Sequence, residues 1–316
     1  MKKEIGVFVL LVSLCIVVSI LNPRFLSPTN LHNMALLIGM YGIFSIGLGL
    51  VIITGGIDLS VGSMFALQGV LLAMMLSARV SWPVAVLAIL ALGLGLGLLH
   101  GVLITRVKLQ PFVVTLCGLL FYRGAARFIS NDETKGFGEA SGFEGLKNFM
   151  TGDILGVPTS FLLLLVVSAA MALLLHRSVY GRYLYAIGRN ADTARYSGIN
   201  TQRVEAGAYI LSGGLAALAG ILIAFYTNSI SPSSHGNFYE LYGIAAAVLG
   251  GCSLRGGEGS ILGILLGTAL LQVLQNLVNL LGIPSSLNFA VMGAVILLGV
   301  LADQLLKNRP AKVSTT

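Results

Sequence analysis

The chain has 316 residues, of which 56% are hydrophobic and only 10% charged. A soluble domain carries about 25% charged residues, so a soluble fold is excluded and a polytopic membrane protein remains. The formal charge of +7 does not point to nucleic acid, because the basic residues are placed as a membrane protein places them.

Apolar runs that span a bilayer, or nearly do, fall at 5–21, 34–54, 64–77, 82–105, 111–129, 158–176, 204–225, 238–251, 261–281 and 286–306. They predict an all-α bundle of about ten transmembrane helices in one membrane domain over residues 1–316. The first run follows Met1-Lys2-Lys3 and is read as a retained helix. Asn22-Pro23-Arg24-Phe25 follows it where a cleaved signal has a small-residue site. The runs 64–77 and 238–251 are short, and each borders a glycine-rich break, so broken helices are expected near 55–77 and 238–260. Half-helices lining a site fit this pattern, and so do helices that begin earlier inside the break.

The first break reads Gly55-Gly56-Ile57-Asp58-Leu59-Ser60-Val61-Gly62-Ser63. A carboxylate in or beside the membrane is costly. The favoured role for Asp58 is to cap helix 64–77, assisted by Ser60 or Ser63, where its charge complements the helix dipole. Direct contact with a solute or ion is the alternative. Gly55, Gly56, Asp58, Ser60, Gly62 and Ser63 form the helix-break and gate group. Val248 to Ser260 echoes Val51 to Ser63 in its glycines and terminal serine; an old repeat and a chance likeness of glycine-rich turns fit equally.

Small residues recur at helical spacing in Gly93, Gly97, Gly101, in Ser212, Ala216, Gly220, and in Gly259, Gly263, Gly267. Rows of this kind let helix backbones approach closely. Arg123 and Arg127 lie one turn apart, either reaching to the interface or, for Arg123, pairing inside the bundle with a carboxylate. Residues 130–157 are too polar to be buried and form an outer loop.

The loop 177–203 is basic and amphipathic. Within it, Asn190 to Ser197 predicts a short helix capped by Asn190 and ended by Gly198. Docking to a soluble partner and contact with lipid headgroups both suit such a loop. In helix 261–281, Gln272, Gln275, Asn276 and Asn279 recur at spacings of three and four on one face. Amides facing lipid would be unsatisfied, so this face looks into the bundle, either lining a path or joining helices. Gln272, Asn276 and Asn279 are pathway candidates, as are Tyr41, Phe44, Gln68, Thr115 and Asn288.

With the N-terminus inside, thirteen basic residues fall on the inner side and four outside, with Arg123 and Arg127 in an outer helix half. Both termini are therefore expected in the cytoplasm of a bacterial inner membrane. No phosphate-cradling Gly-x-x-x-x-Gly-Lys-Ser/Thr occurs, the four histidines have no metal spacing, and no catalytic constellation appears. The chain is read as a non-enzyme without catalytic or metal-binding residues.

Gly55 to Ser63, the loop 181–198 and Ala247 to Gly263, in that order, resemble the permease subunits of bacterial monosaccharide ABC importers of the ribose, xylose and arabinose class. The resemblance runs from about 35 to 306; related permeases carry autoinducer-2. It implies a chain that binds no cofactor itself. ATP and magnesium would be bound by a cytoplasmic ATPase partner with two nucleotide-binding halves. An extracytoplasmic solute-binding protein would deliver the sugar, and a second permease, identical or homologous, would complete the path. It further implies that Gly181, Arg182, Tyr185, Gly188, Arg189, Asn190, Ala194, Arg195 and Gly198 belong to the ATPase-coupling element of loop 177–203. Transport would proceed by ATP-driven alternating access. From the residues alone, an ion-coupled carrier and a lipid flippase component remain alternatives.

Overall fold

The computed structural model describes residues 2–138 and 142–284 continuously, with scattered positions from 287 to 297. Asn288 and most of the expected span 286–306 lie outside the described residues. Twelve α-helices are described: α1 (Lys2–Leu21), α2 (Pro28–Ile53), α3 (Val61–Ser77), α4 (Trp82–Thr105), α5 (Pro111–Ile129), α6 (Glu144–Thr151), α7 (Thr159–Ala172), α8 (Val179–Arg189), α9 (Ala191–Tyr196), α10 (Thr201–Thr227), α11 (Tyr239–Leu249) and α12 (Ile261–Leu280). A π turn, Leu173–Arg177, extends α7. Seven of these segments are long and apolar enough to cross a membrane. The protein is an all-α, multi-pass membrane bundle.

Helix starts follow local chemistry. Helix α2 begins six residues before the expected boundary because Ser27 accepts a hydrogen bond from the Asn30 amide and Pro28 occupies the first turn. Asn190 caps α9 through a 2.8 Å bond from the Thr193 amide. Gly198, at φ +84°, follows that helix. Helices α3 and α11 start at Val61 and Tyr239. Their 17 and 11 residues give lengths of about 25 and 16 Å, short of the roughly 30 Å hydrocarbon core.

Helices α2 and α10 form the centre: 83% and 78% of their apolar windows are buried, against 6% for α1. The small-residue rows set how the others close on this centre. A methyl group on Gly93 would strike Ala217 and the Gly213 carbonyl, and one on Gly97 the Tyr209 carbonyl. Methyls on Gly263 and Gly267 would strike the carbonyls of Gly250 and Ala246. Gly259 does not belong to that row. It precedes α12 at φ +153°, against Cys252 and Ile53.

Residues 130–158 and the segment after α10 carry two small antiparallel pairs. Strand β1 (Lys135–Gly136) pairs with β4 (Ser229–Ile230), and β2 (Asp153–Ile154) with β3 (Val157–Pro158). The β1–β4 pair joins residues 130–157 to the segment after α10. Lys147 adds a 2.8 Å bond to the Asn228 side chain.

Replacing Gly97 with valine is expected to cost about 1–3 kcal/mol through overpacking. Gly95, two residues away with open space around its Cα, should accept valine within about 0.5 kcal/mol. Thermal melting of the detergent-solubilised protein checks both.

Candidate functional site

Helix α2 ends at Ile53, and Gly55 turns the chain at φ +89°. Residues 55–60 then run without helical bonding between α5 and α10. Thr115 donates to the Ile57 carbonyl at 3.1 Å, and the Tyr209 hydroxyl occupies the space a side chain at Gly56 would need. Tyr209 is the ninth of 27 residues in α10, about 12 Å into that helix. The first break therefore climbs into the bundle rather than staying at its end.

Asp58 is 2% exposed. Its carboxylate accepts bonds from the Ser60 amide at 2.9 Å and the Ser60 hydroxyl at 2.6 Å. Ser63 donates to the Ser60 carbonyl at 2.7 Å. The carboxylate thus organises the residue before α3 and does not bond into its first turn. Its charge still lies at the positive end of that helix.

The segment between α10 and α11 reaches the same place from the other end. Gly236 and Phe238 adopt left-handed backbone, at φ +71° and +65°. A methyl group on Gly62 would strike both the Gly236 carbonyl and the Glu240 carboxylate. Two glycines thus let the starts of α3 and α11 meet. Arg123 seals the meeting. Its guanidinium donates to the His235 carbonyl at 2.7 Å, Pro232 at 3.1 Å and Gly62 at 3.4 Å. Of the two readings of Arg123, it points inward, yet its bonds go to backbone carbonyls. Glu240, 6% exposed, is the nearby carboxylate. One turn on, Arg127 turns outward to form a bidentate pair with Asp132 at 2.6 and 2.9 Å. The Arg127 hydrogen bond holds the Asp132 carboxyl below its usual range.

The two echoing breaks touch at the opposite side of this junction. The Gly257 amide donates to the Ile53 carbonyl at 2.8 Å. Helix α8 packs onto both: a methyl on Gly188 would strike the Ile53 carbonyl and the Gly257 amide. The Tyr185 hydroxyl donates to the Gly259 carbonyl at 2.7 Å. Gly181 packs on Leu175, and Ala194 is buried. Arg182, Arg189, Asn190, Arg195 and Gly198 are exposed. The family-derived group therefore divides into packed residues, of which Tyr185 and Gly188 meet the breaks, and an outer row open to solvent. Tyr196, 90% exposed, stands in the outer row; its exposure has no signature in the sequence.

The amides of α12 do not share one environment. Gln272 is buried, Asn276 exchanges two hydrogen bonds with Asn30 at 2.7 and 3.1 Å, and Asn279 is exposed. Asn276 thus joins helices. Tyr41 and Phe44 instead belong to an aromatic group with Phe65, Tyr239 and Tyr242, whose rings lie 5.0 to 6.3 Å apart. Gln68 is buried between Gly93 and Gly220, and no described residue bonds its amide. His100 bonds Tyr122 at 2.8 Å beside the first break. The partners of Arg123 and the aromatic group are brought together by tertiary contact alone.

Residues 30–300 match the family model described as branched-chain amino acid transport system / permease component. The chain belongs to this family. It is 41% identical over 293 residues to a ribose import permease protein of Escherichia coli (strain K12), covering 93% of this chain and 91% of that protein. It is 40% identical to a ribose import permease protein of Bacillus subtilis (strain 168), covering 96% and 93%. An autoinducer 2 import system permease protein of Salmonella typhi is 36% identical, covering 95% and 85%. No solved structure matches the chain significantly. This permease is accordingly a transport component and not an enzyme.

Arg123→Met should lower stability by about 3 kcal/mol or more, since three carbonyls lose a charged donor in the interior. Adding Glu240→Gln should restore part of the loss by removing the carboxylate left without a nearby cation. A double-mutant cycle on melting in detergent measures both.

Proposed function

We propose that this permease is the membrane path of an ATP-driven importer of a monosaccharide, with ribose-like pentoses first among the candidates. The sugar class comes from the curated relatives, two of which are ribose import permeases. The observation that carries the mechanism is the seating of α8 on both helix breaks through Tyr185 and Gly188. A push on the exposed side of α8 and α9 is delivered to the backbone where α2 ends and where α12 is about to begin.

In this reading ATP and magnesium reside in a cytoplasmic ATPase, whose closure drives Arg182, Arg189, Asn190, Arg195 and Tyr196 inward. Gly181, Tyr185, Gly188, Ala194 and Gly198 shape and transmit that movement. The junction of α3 and α11 is the gate, and alternating access is its opening and closing, with affinity for solute differing between the two states. Both termini are cytoplasmic, by the excess of basic residues at the α8–α9 end. A binding protein delivers the sugar at the end formed by residues 130–157 and the segment after α10, and a second permease completes the path. Tyr41, Phe44 and Gln68 border it beside the gate. Aromatic faces suit the C–H surface of a sugar ring, and an amide suits its hydroxyls.

The test is reconstitution in proteoliposomes with a cognate ATPase and binding protein. Uptake of D-ribose that requires ATP and both partners supports the proposal. Uptake driven by an ion gradient without the ATPase sinks it. Arg189→Glu should cut ATP-dependent uptake by about tenfold or more, as a misplaced charge at a docking face does. The melting temperature should stay unchanged, because the guanidinium is exposed.

A further inference from the structure

A second recognition feature lies on the flank of the bundle, away from the gate. Where α4 ends and α10 begins, the two helices leave a groove of about 450 Å³. Its wall is apolar, formed by the exposed Leu98 and the partly buried Val102 and Ile210, and its rim carries Arg106, Arg203 and Gln202. Both arginines are exposed, and among the described residues neither guanidinium has a hydrogen bond or ion pair. Glu205, the nearest carboxylate in sequence, does not line the groove. Among the described residues, no carboxylate lines the groove to offset the cationic rim.

The adjoining loop has matching chemistry. After Arg106, the chain runs Val107-Lys108-Leu109, with Val107 and Leu109 56% and 44% exposed and Lys108 exposed at φ +62°. Alternating basic and apolar side chains, all exposed, suit the boundary where headgroups meet acyl chains. Leu98 and the groove wall lie one to two turns deeper, where a chain would run. A soluble acidic partner would match the arginines but leave the apolar wall unused. A free phosphate would do the same.

We propose that this groove binds an anionic phospholipid, with the phosphate between Arg106 and Arg203 and one acyl chain along Leu98, Val102 and Ile210. Guanidinium groups suit this role because they pair with phosphate in a planar, two-point fashion. The lipid would tie the end of α4 to the start of α10, next to the helices proposed to receive the ATPase.

Native mass spectrometry of the delipidated full chain, titrated with phosphatidylglycerol or phosphatidylcholine in detergent, tests the assignment. Wild type should retain one phosphatidylglycerol, and R106Q/R203Q should bind it about thirtyfold more weakly, from the usual attraction of two basic side chains to anionic lipid. R106K/R203K should bind it with intermediate strength, keeping the charge but losing the two-point pairing. Millimolar inorganic phosphate should not displace the lipid. Equal retention of phosphatidylcholine, undiminished binding by R106Q/R203Q, or displacement by phosphate alone would each overturn the proposal. Unchanged melting of R106Q/R203Q shows that it is folded. If that variant fails to fold, the two lipids compared on wild type and on R106K/R203K decide the matter.

Discussion

The controlling constraint in this structure is that backbone polar groups inside a membrane bundle must find partners within the protein. Helical bonding is interrupted here after Ile53, before Tyr239 and after Leu249, and each interruption leaves amides and carbonyls without helical partners. The molecule satisfies them by folding the breaks against one another and against side chains from other helices. Thr115 serves Ile57, Asp58 serves Ser60, Tyr185 serves Gly259, and Gly257 serves Ile53. Arg123 alone serves three carbonyls.

This solution ties parts of the bundle that would otherwise be independent. Gly62 and Gly236 bring the starts of α3 and α11 into contact, and Gly188 brings α8 onto both breaks. Glycine is needed at these places because any side chain would strike backbone. The breaks are consequently linked in two directions: towards the centre through Arg123, and towards the exposed α8–α9 pair through Tyr185. Packed contacts of this kind shift between discrete arrangements more readily than they deform. That property is what alternating access requires of a gate.

Much of this architecture is legible in the residues themselves. Run length and hydropathy locate the described apolar helices to within about six positions, because a bilayer fixes how many apolar residues a span needs; α6 and α8 instead lie in segments read as loops, because their polar, amphipathic runs carry no such length signal. Asn190 and Gly198 predict α9, since capping is a local interaction. The small-residue rows predict close helix crossings, and two of the three lie where they were expected. The exception, Gly259, matches the spacing by coincidence, because spacing cannot tell a helical glycine from one in the turn before it. The inward or outward course of Arg123 and Arg127 is not legible either: both are arginines one turn apart, and only their neighbours on other elements separate them.

The sequence by itself determined the membrane class, the places where helices break, the basic end of the bundle and, through its motifs, the permease family. Each follows from composition, local capping or the order of short motifs, which act over a few residues. Only the tertiary structure decided that Asp58 bonds to Ser60 inside the bundle, that Asn276 joins α12 to Asn30, and that Arg123 closes the junction of α3 and α11. These depend on partners up to 246 residues apart. Their geometry is set by how helices pack, which periodicity along one chain does not encode.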